Sequence, residues 1–228
     1  PNSYEMLACW FGVIKAGGIA VSTMPLLRAT ELRTIINKAQ VRLALCDQRL
    51  LEELEAARPD SCLERIVTFR NAELEQMAAT KPDTFTNVPT AQDDVCLIAF
   101  TSGTTGQPKA AAHFHRDMLS MCRAYSETCL APNPDDRFIG SPPLAFTFGL
   151  GGLALFPLHA RASAIFSGAG ESGQAPVRNS GASSDRSHHL AYGLPLHPRQ
   201  AGSHVAALAA ALRFCRRTAA QADLRGVE

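Results

Sequence analysis

The sequence predicts an α/β fold with helices layered on a mostly parallel sheet, and three observations carry that expectation. Helix-like and strand-like apolar patterns alternate along residues 4–166, the order expected of strands joined by helical crossovers. An apolar run, Val95-Cys96-Leu97-Ile98-Ala99-Phe100, leads directly into a loop dense in glycines and hydroxyl side chains. The 228 residues, at 46% hydrophobic content, are enough to bury a core as one large domain or two small ones.

Taken in order, residues 4–16 place apolar side chains at helical spacing and stop at Gly17-Gly18, a natural helix end. Residues 19–23 read as a strand. Thr30 is suited to cap a helix that carries Arg33 and Ile36 on different faces. Residues 42–46 read as a strand, 48–57 as a helix and 65–69 as a strand. A polar stretch rich in Pro and Thr, 80–94, connects to the run at 95–100; residues 110–114 form the next strand, 116–129 a helix and 161–166 a last strand. There is no internal repeat. Residues 138–158 carry no formal charge, but three prolines and four glycines interrupt them, which indicates a buried loop and helix and not a membrane span.

A net charge of +1 makes no electrostatic case for nucleic acid or an acidic membrane as partner. The seven cysteines, at 9, 46, 62, 96, 122, 129 and 215, are odd in number and never form a C-x-x-C pair. That argues against a disulfide framework or zinc site and for reduced thiols in the cytoplasm. The first residue, Pro1, lies in helix-like sequence without an initiator Met or a signal segment, as expected of an internal piece.

The chemistry concentrates in Thr101-Ser102-Gly103-Thr104-Thr105-Gly106-Gln107-Pro108-Lys109. Glycines let backbone N–H groups approach an anion, hydroxyls donate to phosphate oxygens, and a lysine supplies a mobile charge. A Ser/Thr/Gly turn between strands is the plain alternative for a Gly-rich loop, but the order and density of groups favour a phosphate grip. The loop is not the G-x-x-x-x-G-K-[ST] type, because counting from Gly103 puts Pro108 at the second glycine position.

Residues 100–109 resemble the signature [YF]-[TS]-S-G-[TS]-T-G-x-P-K of the adenylate-forming superfamily of acyl- and aryl-CoA ligases, adenylation domains and luciferases. Gly12 to Gly18 is similar to the family's G-x-x-x-A-G segment, with Glu31-Leu32 following, and Ser141 to Gly149 resembles its acyl-pocket segment. Met24 to Ala29, His113 to Asp117 and the run at 144–152 are most similar to the benzoate-CoA and 2-aminobenzoate-CoA ligase branch. The resemblance covers residues 1–166 and implies part of the large N-terminal domain of that family.

It further implies that ATP, Mg²⁺ and CoA take part, that a small aromatic carboxylate is the partner, and that neither nucleic acid nor membrane is. The loop would hold the β- and γ-phosphates through the hydroxyls of Thr101, Ser102, Thr104 and Thr105, the backbone at Gly103 and Gly106, and the charge of Lys109. Catalysis of this kind is positional and electrostatic, without a protein nucleophile. Phe146 occupies the position where the family carries His or an aromatic residue beside the carboxylate, followed by Thr147, Phe148 and Gly149. An apolar slot lined by rings suits a flat aromatic acid. A strand would place Phe146 and Phe148 on one face, which packing alone would also require. His113 and His115 have the spacing of a shared strand face, yet no third ligand accompanies them, so they read as structural and no metal site is expected. Trp10, Met118, Met121, Cys122 and Cys129 read as core.

The departures are equally plain. The family's adenine and ribose segments, its hinge and its catalytic lysine are not recognisable in these 228 residues, and Ala110 stands where a glycine is usual. An enzyme that loads a carrier protein shares the phosphate loop, and an inactive remnant is the remaining reading. From Ser167 onward the 62 residues include 13 Ala, 7 Gly, 7 Ser and 7 Arg with no lysine or isoleucine, a composition that packs poorly apart from an Ala-rich stretch at 204–213.

A one-base displacement can account for this tail, a genuine disordered tail being the plain alternative. Residues 167–174 can be encoded so that dropping the first base yields L-E-Q-A-S-P-G. The same step turns 191–195 into P-T-A-Y-R and 214–228 into S-A-G-E-P-L-P-K-P-T-F-E-A-W, and each resembles a segment of aryl-CoA ligases. Residues 167–228 are therefore expected to be family sequence translated out of frame. Sequencing the gene checks this: the shifted frame after codon 166 should read through these segments, and an early stop there would sink the idea.

Overall fold

Residues 43–47 and 65–69 are short and apolar, and they pair as parallel strands β1 (Leu43–Asp47) and β2 (Arg65–Phe69), with Leu43 opposite Arg65 and Asp47 opposite Phe69. Two helices precede them, α1 (Tyr4–Lys15) and α2 (Ala29–Ala39). A 3-10 turn (Gln48–Leu50) and α3 (Leu51–Ala57) make the crossover, and α4 (Glu73–Ala79) follows β2. The computed structural model describes residues 1–82, 84–101 and 108–166. These fall into two compact units, residues 4–115 and residues 1–3 with 116–166.

In the first unit, strand alternation sorts the side chains into two cores. Leu43, Leu45, Val67 and Phe69 pack with Cys9 of α1 and Leu74 and Met77 of α4. Ala44, Cys46 and Ile66 face the other way, against Leu32 and Ile36 of α2 and Leu54 and Ala57 of α3. The pair is covered on both faces, as parallel strands require.

Helix α1 ends in the Schellman pattern that its two glycines suggest: Gly18 N donates to Val13 O at 2.9 Å and Gly17 N to Ile14 O at 3.0 Å. Gly17 sits at φ +75°, and a Cβ there would lie 2.9 Å from Val88 Cγ1. The 80–94 connector thus packs directly on this helix end, and Val88 N donates to Lys15 O at 3.0 Å.

Thr30 does not cap α2. It lies inside the first turn, while Glu53 of α3 accepts from Ala29 N and from Arg28 Nη1, both at 2.9 Å. A carboxylate at a helix N-terminus meets both the open N–H groups and the dipole, which outcompetes a local hydroxyl. The predicted strand at 19–23 reduces to a parallel bridge between Ala20 and Leu97, because the chain turns away at Pro25, which has no N–H to donate. Ala20 borders one side of β3 (Val95–Thr101), whose other side pairs antiparallel with β4 (Lys109–Phe114).

Asp47, at the end of β1, is buried to 2% side-chain exposure. Its carboxylate accepts from Arg49 Nε at 2.9 Å, Nη2 at 2.7 Å and backbone N at 3.0 Å. Arg70, at the end of β2, lies 3.4 Å from Asp47 and also pairs with Glu5 of α1 at 3.1 Å. Burial pushes the Asp47 carboxyl up, but the hydrogen bonds from Arg49 and the charges of Arg49 and Arg70 outweigh it and hold the pKa below the usual range.

In the second unit, α5 (His115–Met121) begins at the last residue of the first and continues as a π-helical stretch, Cys122–Leu130. Strands β5 (Arg137–Ile139) and β6 (Ser163–Ile165) pair in parallel. Between them run α6 (Thr147–Leu150), a π-helical stretch (Gly151–Leu155) and α7 (Phe156–Ala160). Cys122, Phe138 and Phe156 form the core with Met121, Leu130 and Leu155. The uncharged 138–158 segment is therefore a strand end, a loop and a helical crossover. Met118, Cys122 and Trp10 are buried, as expected, but Cys129 faces solvent. The expected tail structure beyond residue 166, including 204–213, lies outside the described residues.

The α/β class with mostly parallel pairing is what the sequence predicts, with β3 and β4 the antiparallel exception. Helix α4 and strand β5 are too short, at seven and three residues, to show periodicity.

The Asp47 cluster sets an acid limit on stability. A depressed folded pKa contributes stability that is present above the unfolded value of about 3.9 and is lost as pH falls through the folded one. Urea unfolding of the chain should therefore weaken steeply below about pH 4. Asp47→Asn should flatten that dependence; an unchanged acid profile in the variant would remove Asp47 from this role.

Candidate functional site

The hairpin of β3 and β4 fixes where the Gly-rich loop begins and ends. Its register pairs Phe100 with Ala110 and Thr101 with Lys109, so the two described ends of the predicted grip stand directly opposite each other. Opposed residues of an antiparallel pair lie about 4.5–5.5 Å apart at Cα. The segment between them therefore starts and ends at paired positions of one hairpin. Ser102, Gly103, Thr104, Thr105 and Gly106 lie outside the described residues. Thr101 and Lys109 are exposed, as groups that meet a soluble ligand must be.

Lys38, in the last turn of α2, reaches the end of this segment as well. Its Nζ donates to the carbonyl of Pro108 at 2.7 Å, tying the loop's exit to a helix and adding a second cation beside Lys109. Sequence reading passes over Lys38, since 70 residues separate the partners and a basic residue near a helix C-terminus already satisfies the dipole. The strand before the segment is well held: Ala20 N donates to Cys96 O and Ile98 N to Ala20 O, both at 2.9 Å.

The acyl-pocket candidates occupy the second unit. Phe146 precedes α6 with extended φ −107° and ψ 152°, and Thr147, Phe148 and Gly149 form its first turn. The two phenylalanines therefore do not share a strand face, and residues two apart on a helix point in different directions. Phe146 is 41% exposed and Phe148 72%, comparable to Leu119 and Leu158 at 54% and 55%.

Gly149 is dictated by a close approach. A Cβ there would lie 2.1 Å from the carbonyl oxygen of Pro143 and 2.7 Å from that of Pro142, so only glycine lets α6 sit on the Pro142-Pro143 backbone. Asn2 holds the same loop: its Nδ2 donates to Pro142 O at 2.8 Å, and its Oδ1 accepts from Leu144 N at 2.8 Å.

His113 lies in β4 whereas His115 opens α5, so the pair does not line one strand face. Among the described residues no group of three His, Cys, Asp or Glu side chains is placed to hold a metal ion. No described helix is long and apolar enough to cross a membrane.

A family model described as AMP-binding enzyme matches residues 1–177. The chain is 29% identical over 160 residues to a benzoate–CoA ligase of Thauera aromatica, covering 68% of this chain and 30% of that protein. It is 30% identical over 168 residues to a malonate–CoA ligase of Arabidopsis thaliana, covering 72% of this chain and 28% of that one. Among solved structures, the anthranilate CoA ligase AuaEII in complex with anthranoyl-AMP superposes with a TM-score of 0.66 at 31% identity, over 70% of this chain and 31% of that one. The chain spans about 30% of the length of the curated relatives it matches.

Proposed function

The chain belongs to the AMP-binding enzyme family, and on that premise we propose that it supplies the phosphate grip and acyl pocket of an ATP-dependent aryl-CoA ligase acting on benzoate or 2-aminobenzoate. The observation that carries the reading is the hairpin register, which sets Thr101 opposite Lys109 at the two ends of a segment rich in glycine and hydroxyls. The exposed rings of Phe146 and Phe148 support the aromatic substrate, as do two relatives named for aromatic acids.

The chemistry needs little more than position and charge. A carboxylate oxygen attacks the α-phosphorus of ATP and pyrophosphate leaves; the CoA thiol then attacks the acyl carbon and AMP leaves. Ser102, Thr104 and Thr105 donate hydroxyls to the β- and γ-phosphates, Gly103 and Gly106 let the backbone close in, and Lys109 offsets charge on the departing pyrophosphate. When bound with the nucleotide, Mg²⁺ would supply further neutralisation of the same charge. Lys38 holds the loop's exit in place. Phe146 borders the carboxylate's ring, with Thr147 and Phe148 beside it and Gly149 seating the turn. The seven scattered cysteines suit a reducing compartment such as the cytoplasm.

In the complete ligase, Lys109→Ala should slow pyrophosphate release about 100-fold, while CoA attack on preformed aryl-AMP is much less affected. Equal loss in both half-reactions would remove the lysine from the phosphate role. The 228 residues alone should make no aryl-CoA, and turnover by the purified chain would overturn that.

Substrate choice provides a separate check. The complete enzyme should prefer a planar aromatic carboxylate to acetate, malonate or a long fatty acid. Phe146→Ala should weaken that preference several-fold, since a buried aromatic contact contributes on the order of 1 kcal/mol. A wild-type preference for malonate or an aliphatic chain would refute the aromatic reading.

A further inference from the structure

We propose that Asn2 is a positioning residue for the carboxylate pocket, acting through the 141–149 segment; the inference rests on the reading of that segment as the acyl pocket. Asn2 lies two residues before α1 and about 140 residues from its partners in the chain. Its one side chain makes a two-point clamp, Nδ2 to Pro142 O and Oδ1 from Leu144 N, both at 2.8 Å. The partners are a carbonyl and an N–H, so the amide orientation is determined by them. An amide offers one donor and one acceptor in that arrangement; aspartate keeps only the acceptor and alanine neither.

Among the described residues the loop makes few other hydrogen bonds. Pro142 and Pro143 lack N–H groups. Phe146 N returns to Pro143 O at 3.0 Å, which closes the turn internally but anchors it to nothing beyond. Leu144 is 3% exposed, so its backbone N–H is fixed where water competes poorly, and Asn2 is the partner it has there.

What the clamp fixes is passed on to the pocket through contacts with no slack. Gly149 packs so closely on the Pro142 and Pro143 carbonyls that a Cβ would meet them at 2.7 and 2.1 Å. Leu150 N donates to Phe146 O at 2.8 Å, locking the start of α6 to Phe146. A shift of the two prolines therefore moves Gly149, and with it Phe146 to Phe148. Misplacing a bound reactant by about 1 Å is enough to cost up to 100-fold in rate.

The test uses the complete ligase containing this segment, with Asn2→Ala and Asn2→Asp, and reads pyrophosphate release against benzoate and against ATP. Asn2→Ala should raise KM for benzoate about 5- to 10-fold, as the loss of roughly one aromatic contact to the ring would, with KM for ATP unchanged within about two-fold, a split that general destabilisation would not produce. Asn2→Asp keeps the Leu144 contact and should fall between. In parallel, hydrogen exchange at the Leu144 amide should accelerate at least ten-fold in Asn2→Ala, and less in Asn2→Asp. An active wild-type enzyme whose KM for benzoate is unmoved by Asn2→Ala overturns the inference. Failure of both variants to fold overturns it too, since a residue that only positions a loop is not needed for the core. If the wild-type enzyme adenylates no carboxylate, the functional reading falls separately, and the Leu144 exchange still decides whether Asn2 holds the loop.

Discussion

The pairing of β3 with β4 is the constraint on which the candidate site at the ends of the Gly-rich segment depends. Past an irregularity between Val95 and Leu97, the antiparallel ladder runs in unbroken register from Leu97 opposite His113 to Thr101 opposite Lys109. Once Phe100 faces Ala110, Thr101 must face Lys109, and a loop of fixed length must close between them. The parallel bridge from Ala20 borders β3 on its other side, so the strand carrying the loop is held along both edges. Lys38 adds a tether at Pro108. The two ends of the Gly-rich segment are thus fixed by backbone pairing and by the Lys38 hydrogen bond.

A similar fixing of ends is visible at β1 and β2. Both strands stop at charged residues, Asp47 and then Arg70, and these meet Arg49 and Glu5 in one network. Asp47 and Glu5 are buried while the arginines stay partly in solvent, so loss of an arginine would leave a carboxylate with less compensation. The network therefore specifies how α1 meets the strand ends, while the apolar faces on either side supply the stabilisation.

In the second unit, close approach takes the place of charge. The carbonyls of Pro142 and Pro143 accept contacts from both sides, Asn2 on one and the Cβ-less Gly149 on the other. Two exposed phenylalanines then project from a short helical turn that these contacts hold. The turn that carries them is held by the Gly149 approach to the two proline carbonyls and by the Asn2 hydrogen bonds.

The sequence by itself determined the α/β class, the strands at 65–69 and 95–100, the Gly17-Gly18 helix end and the family signature at 100–109. All of these rest on local rules: periodicity, a glycine's left-handed φ, or a motif read in order. Only the tertiary structure decided that Glu53 and not Thr30 caps α2, that residues 19–23 contribute one bridge and not a strand, and that Phe146 and Phe148 leave a helical turn in different directions. It alone brought Lys38 to Pro108 and Asn2 to Pro142 and Leu144. The reason is physical: a hydrogen-bond donor or a carboxylate takes whichever partner lies nearest once the chain has packed, and partners 24, 70 or 140 residues away leave no imprint on local sequence pattern.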